Sequence, residues 1–298
     1  MDAVKIGAAI KALRIQVGYT QRELADCLNV TDKAVSKWER GLSIPDVSII
    51  AKLSLLLNCD VDNLLEGNIT YLEKSWQGLL LLKECQDIFA GSMAYDKPLV
   101  YFYLSYFMLA GIGDIYISCS EKDRAYIEKT IGNGERYGIR LRFLAEEWIP
   151  PVAVNTMVVL DHPFIHGPNL TKYFQRAMSR FGGVSLLTID KEASEGETVV
   201  FYDKHKMVKN AQNGAKSHCA VPIVFFPKKY FHEISKIADL TKITPLYAEP
   251  VGNGMIEYLI SDEDALWDIS VFLRMLKKRM GKDVYDLEQI AKNRKFIE

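Results

Sequence analysis

Two groups of polar side chains have residue types and spacings that could do chemistry. Lys33 and Lys37 lie four residues apart, so a helix would carry both ammonium groups on one face. Such a face either contacts phosphates or is an ordinary solvated stripe, as most lysine pairs are. Asp161, His162 and His166 follow a strand-like run and could bind a metal, although without flanking ligands a solvated loop is the default interpretation. The surrounding elements must decide between these alternatives.

Composition limits the class of protein. The chain has 298 residues, of which 49% are hydrophobic, which is enough apolar material for one large domain or two smaller ones. The formal net charge of -1 gives no overall sign of nucleic-acid binding. Any such role therefore rests on a local basic face.

Cysteine usage and the N-terminus indicate the compartment. The five cysteines are far apart, and none forms a CxxC pair or a zinc-finger spacing with histidine. This pattern predicts buried thiols in a reducing cytosol. The N-terminal segment is amphipathic without an apolar signal core, and no window is a continuous membrane-spanning run. We therefore expect a soluble, cytoplasmic protein that does not contact a membrane.

Residues 1–66 are built from short helical segments. Apolar residues recur at helical spacing over residues 6–17. Thr20 and Glu23 have the three-residue separation of a capping box, and Thr31 is placed to cap a third helix. Two further short helices follow before residue 66. The pattern predicts a compact unit of five helices.

This succession resembles the helix-turn-helix domain of the phage repressor and Cro family, also called the Xre family. The resemblance is carried by TQ at the start of the second helix, by VSKWERG in the third and by a proline that opens the fourth. In this family the second helix braces the third, which lies in a major groove of double-stranded DNA. The resemblance implies DNA-binding side chains at Gln21, Thr31, Asp32, Lys33, Ser36, Lys37 and Arg40.

The resemblance assigns these residues to two kinds of contact with DNA. The resemblance implies base contacts from Asp32, Lys33 and Lys37, with Ser36 beside them, and phosphate contacts from Gln21, the helix N-terminus at Thr31, and Arg40. Asp32 departs from the usual neutral residue, since a carboxylate repels phosphate, but it could accept from a cytosine amino group. Arg14 and Glu39 fall where the family has a partly buried ion pair, and Trp38 is predicted to be core.

From Gly78 onward, strands alternate with helices. Continuous apolar runs such as DIYISCS, NTMVVLD and VSLLTID are separated by helical segments, which is typical of parallel strands joined by crossover helices. The predicted fold class is a small all-α helix-turn-helix domain over residues 1–66, followed by an α/β domain over residues 78–298 with a mostly parallel, Rossmann-like sheet. Residues 67–77 have no Gly/Ser or Pro run and are predicted to be a short linker with limited freedom.

The second region is similar to the sugar-phosphate nucleotidyltransferases, in particular the glucose-1-phosphate thymidylyltransferases. YDKPLVYFYLSYFMLAGIGDIYIS followed by IGNGERYGIRLRF carries most of the resemblance, with further matches in VVLDHPFIHGPNL, CAVPIVFFPKKYF and the C-terminal GKDVYDLEQIAKNRKFIE. It implies a nucleotidyltransferase-type fold over nearly all of residues 78–298. It also implies, where the active site is intact, the joining of a nucleoside triphosphate to a sugar phosphate.

Five parts that this chemistry needs are missing from the matching positions. The Gly-rich turn that cradles a triphosphate is replaced by KECQDIFAGSM. Of the two aspartates expected to hold magnesium, the first is displaced to Asp161 with His162 after it, and the second is Leu259. The sugar-holding EEKP segment is KNAQ at residues 209–212, and the base-recognition loop is cut to WIPPVA. We therefore predict a catalytically dead domain without a metal or another cofactor.

The resemblance leaves the ligand of the second domain open. Ligands of open α/β sheets bind at the carboxyl ends of the strands. Lys97, Asp161, His162 and His166 are therefore candidates for a cleft that binds a nucleotide sugar or a sugar phosphate as effector. Lys97 is equally well explained as a surface lysine.

The assembly and the overall role follow from both regions together. The sequence predicts a transcriptional regulator, and the alternatives are a working nucleotidyltransferase tethered to DNA and a pure interaction module. A homodimer through residues 78–298 is expected, with LVYFYLSYF and LWDISVFLRML as candidate interface helices. Two-fold symmetry would impose a palindromic operator.

Overall fold

We describe a computed structural model of the chain. It describes residues 2–17, 19–57, 59, 61–67, 76–82, 88–144, 150, 154–160, 162–180, 182–192, 198–203, 206–213, 217–237, 239–252, 254–281 and 283–297. Asp161, Cys85, most of the predicted linker and nearly all of the WIPPVA loop lie outside these residues.

The N-terminal domain consists of the five helices that the sequence predicts. They are α1 (Ala3–Val17), α2 (Gln21–Leu28), α3 (Asp32–Glu39), α4 (Val47–Leu56) and α5 (Val61–Glu66). Thr20 and Glu23 form the expected capping box on α2, and Thr31 caps α3 through its side-chain oxygen. The helices enclose one apolar core that includes Ile10, Leu13, Leu24, Ala25, Leu28, Val35 and Trp38.

A glycine sets the close approach of α1 to α3. A side-chain carbon at Gly7 would lie 2.1 Å from the carbonyl oxygen of Trp38. No other residue type fits this position without moving one helix away from the other. The approach holds α3 firmly against the rest of the domain.

The C-terminal domain alternates strands and helices. Its strands are β1 (Trp76–Leu81), β2 (Met93–Ala94), β3 (Lys97–Pro98), β4 (Asp114–Ser118), β5 (Arg140–Leu144), β6 (Asn155–Leu160), β7 (Pro163–His166), β8 (Val184–Lys191), β9 (Thr198–Tyr202), β10 (Val208–Asn213), β11 (Ser217–Phe226), β12 (Leu246–Pro250) and β13 (Ile256–Leu259). Its α-helices are α6 (Leu99–Ala110), α7 (Glu121–Thr130), α8 (Leu170–Met178), α9 (Glu263–Met280) and α10 (Leu287–Asn293).

The large sheet has the strand order β10-β9-β11-β6-β1-β4-β5, with β8 on β11 and β12 on β8. The central strand β1 is parallel to both β4 and β6, and β5 is parallel to β4. A second parallel pair, β8 and β12, is joined to this group by β11, which is antiparallel to β6 and β8. The parallel core expected from the apolar runs is therefore confirmed, and β11 is an antiparallel insertion within it.

Both faces of the sheet are covered. Leu79 and Leu80 follow each other on β1, yet they belong to two different apolar clusters because successive side chains point to opposite faces. Gly78 on the same strand lies under α6, where an added side-chain carbon would be 2.7 Å from the Phe107 ring. Continuous burial of this kind explains why the strands are uniformly apolar in sequence.

Three features differ from the expectations. The strand β1 begins at Trp76, inside the predicted linker, because the Trp76 ring packs edge-on against Phe225 at 6.1 Å. The short strands β2, β3, β7, β10 and β12 have no clear alternation and were not predicted. The helix α6, which contains LVYFYLSYF, is buried on nearly all sides, so this helix is core and does not form an intersubunit interface.

The remaining expectations concern thiols and membranes. Of the cysteines in the described residues, Cys59, Cys119 and Cys219 are buried and Cys27 is half-buried, and none of the four is in a disulfide. Within the described residues, no helix combines the length and the apolar character needed to cross a membrane.

Candidate nucleic-acid interface and cleft

The outward face of α3 presents the residues that the sequence assigns to DNA. Asp32, Lys33, Lys37 and Arg40 are exposed, and Ser36 lies half-buried among them. The Asp32 carboxylate accepts from the backbone N–H of Lys33 at 2.7 Å, which engages part of its charge at the N-terminus of the helix. The Arg40 guanidinium donates to the carbonyl of Ser36 at 3.3 Å. The described residues therefore leave this face accessible, and none of them pairs with the ammonium groups of Lys33 and Lys37 at its centre.

One buried carboxylate fixes α3 to the two preceding helices. The Glu39 side chain is 2% exposed and accepts from Arg14 Nε at 2.5 Å, which is the ion pair that the resemblance implies. Gln21 Nε2 donates to the same carboxylate at 2.7 Å. Gln21 therefore uses one amide hydrogen inside the domain, and the second is compatible with the phosphate contact that the resemblance implies.

The four residues assigned to an effector cleft do not form one site. His162 is buried, and its Nδ1 lies 3.0 Å from the Tyr103 hydroxyl. Nδ1 of His166 instead lies 2.9 Å from the Tyr285 hydroxyl. Each imidazole is thus held by its own tyrosine. In the described residues, which exclude Asp161, no group of three or more His, Cys, Asp or Glu side chains could hold a metal.

Lys97 is engaged elsewhere. It lies in the β2–β3 hairpin, where its ammonium group is 3.5 Å from Asp96 and 3.3 Å from Asp283. Lys277 of α9 joins the same two carboxylates at 2.5 and 3.1 Å. The role in a phosphate site that the sequence suggests for Lys97 does not fit this arrangement, because two carboxylates already neutralise the lysine.

The fold does bring together the two positions at which the resemblance expects magnesium-binding aspartates. The strand β13 is antiparallel to β7, which places Leu259 opposite Pro163. The next residue, Ile260, donates its backbone N–H to the carbonyl of His162 at 3.1 Å. Magnesium requires hard oxygen ligands, and these positions carry a buried imidazole and an alkyl side chain.

The segment after β1 is packed where the resemblance expects a loop around phosphate. Residues 83–87 of this segment lie outside the described residues. Ile88 and Ala90 are buried in the main apolar cluster. The backbone N–H of Ala90 donates to Asp123 at 2.6 Å, and its carbonyl accepts from Val100 at 3.0 Å. Both backbone groups of Ala90 are therefore bonded within the protein and are not available to a phosphate.

Comparisons with known proteins agree with this division of the chain. Residues 10–64, from α1 to α5, match the helix-turn-helix family HTH_3. A glucose-1-phosphate thymidylyltransferase from Xanthomonas campestris pv. campestris is 25% identical over 237 residues, covering 68% of this chain and 79% of the relative. The corresponding protein from Mycolicibacterium smegmatis is 25% identical over 240 residues, covering 68% and 81%.

Solved structures agree on the fold of the second part. A glucose-1-phosphate thymidylyltransferase from Bacillus anthracis, in complex with sucrose, superposes with a TM-score of 0.56 at 13% identity, covering 67% of this chain and 95% of that one. The chain joins a helix-turn-helix domain to a glucose-1-phosphate thymidylyltransferase-like domain. At this level of identity the structural likeness concerns the fold of the thymidylyltransferase-like domain and not its activity.

A charged cluster connects the two domains, and the sequence gives no sign of it. Arg176 of α8 donates to Glu23 of α2, and its guanidinium lies 5.7 Å from the centre of the Tyr19 ring. Arg176 and Arg180 are almost fully buried, and both face Glu249 of β12, whose side chain is 0% exposed. These five residues are referred to below as the interdomain cluster.

Glu249 balances the charge of the cluster. Its carboxylate lies 3.1 Å from Arg180 Nη2 and 3.7 Å from Arg176 Nη1, with Lys206 Nζ at 3.9 Å. Burial lowers the pKa of Arg180, but Glu249, together with smaller contributions from Tyr19, Cys27 and Tyr247, outweighs burial, so this pKa is raised. Buried charges are stable only when they are paired. The stability of the cluster therefore depends mainly on the buried carboxylate of Glu249, and less on the partly exposed contact between Arg176 and Glu23.

Glu23 belongs both to the cap of α2 and to the interdomain cluster. Burial raises the pKa of Glu23, but hydrogen bonds from Thr20 and the charge of Arg176 outweigh it, so this pKa lies below its ordinary value. A depressed carboxyl pKa stabilises the fold above the ordinary value of about 4.3, and this contribution is lost as pH falls through the depressed value. The contact between the domains is therefore fully charged at neutral pH.

Proposed function

We propose that this chain is a sequence-specific, DNA-binding transcriptional regulator whose thymidylyltransferase-like domain binds an effector and does not catalyse nucleotidyl transfer. The observation that carries the first part is the exposed face of α3 within a helix-turn-helix domain. Lys33 and Lys37 project from this face while Glu39 anchors the helix from behind. A rigid helix with accessible lysines is suited to reading base edges in a major groove.

The loss of catalysis is supported by the chemistry of the remodelled cleft. Transfer of a nucleotidyl group needs phosphate-binding backbone N–H groups and a magnesium ion on carboxylates. At the matching positions, Ala90 is bonded to Asp123 and the metal positions carry His162 and Leu259. A domain with this fold and without these groups can still bind a ligand without transforming it.

The effector class follows from the fold and from the relatives. The relatives are named for a reaction on glucose 1-phosphate. We infer that the ligand is a nucleotide sugar or a sugar phosphate, bound at the carboxyl ends of the parallel strands. The interdomain cluster gives such binding a route to α2, the helix that braces α3, because Arg176 of α8 contacts both Glu23 of α2 and Glu249 of β12.

Replacing Lys33 or Lys37 with alanine is expected to weaken binding to the cognate operator by about 1 to 3 kcal/mol each, because each would lose a contact to a base edge. The operator is first selected from a random-sequence duplex library with the full chain. Binding is then measured by fluorescence anisotropy on the selected duplex and on a scrambled one. Gln21→Ala should weaken both duplexes by a similar factor, since its contact is to phosphate.

Lys129→Ala provides the control for this experiment. Lys129 is an exposed lysine on α7, in the other domain, and its loss should leave both affinities unchanged. Equal losses on selected and scrambled DNA for Lys33→Ala would make Lys33 a phosphate contact only. A library that yields no preferred sequence would contradict the proposed regulator.

A further inference from the structure

The start of α2 contacts the second domain through Arg176 of α8. The Arg176 guanidinium donates to Glu23 Oε2 and lies 5.7 Å from the centre of the Tyr19 ring. Tyr19 and Arg176 are both buried where the two domains meet. A cation that lies near an aromatic ring and also bonds a carboxylate restricts the movement of both groups. One side chain of the α/β domain thus holds the first turn of α2 and the residue before its cap.

The backbone of Tyr19 connects this contact to α1 and α3. Arg14 Nη1 donates to the carbonyl oxygen of Tyr19 at 2.7 Å, and the Tyr19 N–H donates to the carbonyl of Arg14 at 3.1 Å. Nε and Nη2 of the same guanidinium donate to the two carboxylate oxygens of Glu39 at 2.5 and 3.1 Å. Arg14 therefore links the residue that Arg176 contacts to the last residue of α3.

A second route to α3 passes through Glu23 and Gln21. Glu23 Oε2 accepts from the Thr20 N–H at 2.7 Å as well as from Arg176, so one oxygen serves both the cap of α2 and the other domain. Gln21 begins α2, and its Nε2 donates to Glu39 at 2.7 Å. Both routes end on the buried carboxylate of Glu39. A buried carboxylate is stable only while its partners stay in place, so α3 and the start of α2 move together.

The position of α3 matters more for base contacts than for phosphate contacts. Hydrogen bonds to base edges weaken steeply when the donor is misaligned. Attraction to phosphates is mainly Coulombic and tolerates a small displacement. Glu39 lies two residues after Lys37 in a helix of eight residues, so a displacement of Glu39 also moves Lys37 and Lys33.

We propose that Arg176 of the α/β domain is a positioning residue for α3, acting through the buried carboxylate of Glu39 and without contacting DNA itself. The helix-turn-helix domain then discriminates fully between DNA sequences only while it is docked on α8. The inference rests on the proposed DNA-binding function. It adds the residue through which the second domain affects sequence selectivity.

Arg176→Met removes the guanidinium while its neighbours keep other partners. Glu249 keeps Arg180 at 3.1 Å, and Glu23 keeps its bond to the Thr20 N–H. Methionine is flexible and apolar, so it can fill the space of the arginine stem. The variant is therefore expected to stay folded, which circular dichroism and urea unfolding check.

The first test measures binding of the full chain to the selected operator and to the scrambled duplex. Arg176→Met is expected to weaken operator binding about 10-fold and scrambled binding by less than about 2-fold, because only base contacts require α3 to be aligned. Arg124→Met, on the surface of α7, is the matched control and should leave both affinities unchanged. A folded Arg176→Met variant with native selectivity would overturn the positioning role.

A double-mutant cycle tests the contact between Arg176 and Glu23. Glu23→Gln keeps an acceptor for the Thr20 N–H and removes the charge that meets Arg176. If the two residues act through one contact, the double variant should bind the operator no more than about 2-fold more weakly than the weaker single variant. Losses that multiply would mean that the two residues act independently, and would count against this route.

Amide hydrogen exchange of the free protein separates this inference from the proposed function. Arg176→Met should speed exchange in peptides covering residues 19–40 by about 5-fold, because local opening of α2 and α3 becomes easier. Peptides from α7 should be unaffected. Faster exchange in a chain that selects no DNA sequence would support the positioning of α3 and reject the proposed regulator. Unchanged exchange over residues 32–39 in a chain that does select a sequence would reject the positioning alone.

Discussion

The full-length chain, incubated with magnesium, glucose 1-phosphate and each nucleoside triphosphate, is expected to release no pyrophosphate above a protein-free blank. The reaction builds charge on phosphate oxygens, and an enzyme must neutralise it with a metal and with oriented donors. At the matching positions this chain has the buried imidazole of His162, the alkyl side chain of Leu259 and the bonded backbone of Ala90. None of these groups can hold magnesium or a triphosphate.

The Xanthomonas campestris relative, assayed in parallel under the same conditions, is the positive control. A second readout is the melting temperature with and without magnesium-triphosphate, which should not shift because a ligand stabilises only a fold that binds it. Steady pyrophosphate release by the chain would contradict the loss of catalysis and favour a working transferase joined to a DNA-binding domain. A shift in melting temperature with a nucleotide sugar but not with magnesium-triphosphate would support the effector.

The second large effect concerns the interdomain cluster. Glu249→Gln is expected to lower the free energy of unfolding by about 3 to 5 kcal/mol, because it leaves buried arginines without their counter-charge. Arg180 would lose its only carboxylate partner among the described residues, and Arg176 would lose Glu249 while its contact with Glu23 remains. Urea unfolding followed by circular dichroism measures the change.

Glu128→Gln is the matched control for this substitution. Glu128 pairs with Arg124 at 3.0 Å on the surface of α7, where both side chains are about half exposed. Exposed pairs of this kind contribute less than about 1 kcal/mol. A loss of stability for Glu249→Gln as small as that for Glu128→Gln would mean that water reaches the cluster and that the two domains are not joined through it.

Local signals in the sequence were sufficient to predict the helices of the helix-turn-helix domain. The capping box of Thr20 and Glu23 and the cap at Thr31 act within three residues of the chain, so their spacing alone predicts where α2 and α3 begin. The apolar runs of the sheet were equally informative, because a strand buried on both faces leaves no polar positions. The strands β7, β10 and β12 carry no such pattern, and only pairing with a neighbour makes them strands.

Residues far apart in sequence could not be placed in this way. The spacing DHxxxH predicts that His162 and His166 share a ligand. The fold instead brings each imidazole to a different tyrosine, Tyr103 and Tyr285, respectively 59 and 119 residues away. Neither partner has a spacing that a sequence pattern could detect. The hydrogen-bond partner of an imidazole depends on which side chain the fold packs against it.

The sequence by itself determined that this protein has a helix-turn-helix domain, a parallel sheet of nucleotidyltransferase type and altered residues where that chemistry would occur. These properties depend on residue type and on short spacings, which are local. The tertiary structure alone decided that Glu23 meets Arg176 across 153 residues, that LVYFYLSYF is core and that α9 keeps apolar side chains exposed. Burial is decided by the whole chain, because a face is exposed or covered only when every other element has been placed.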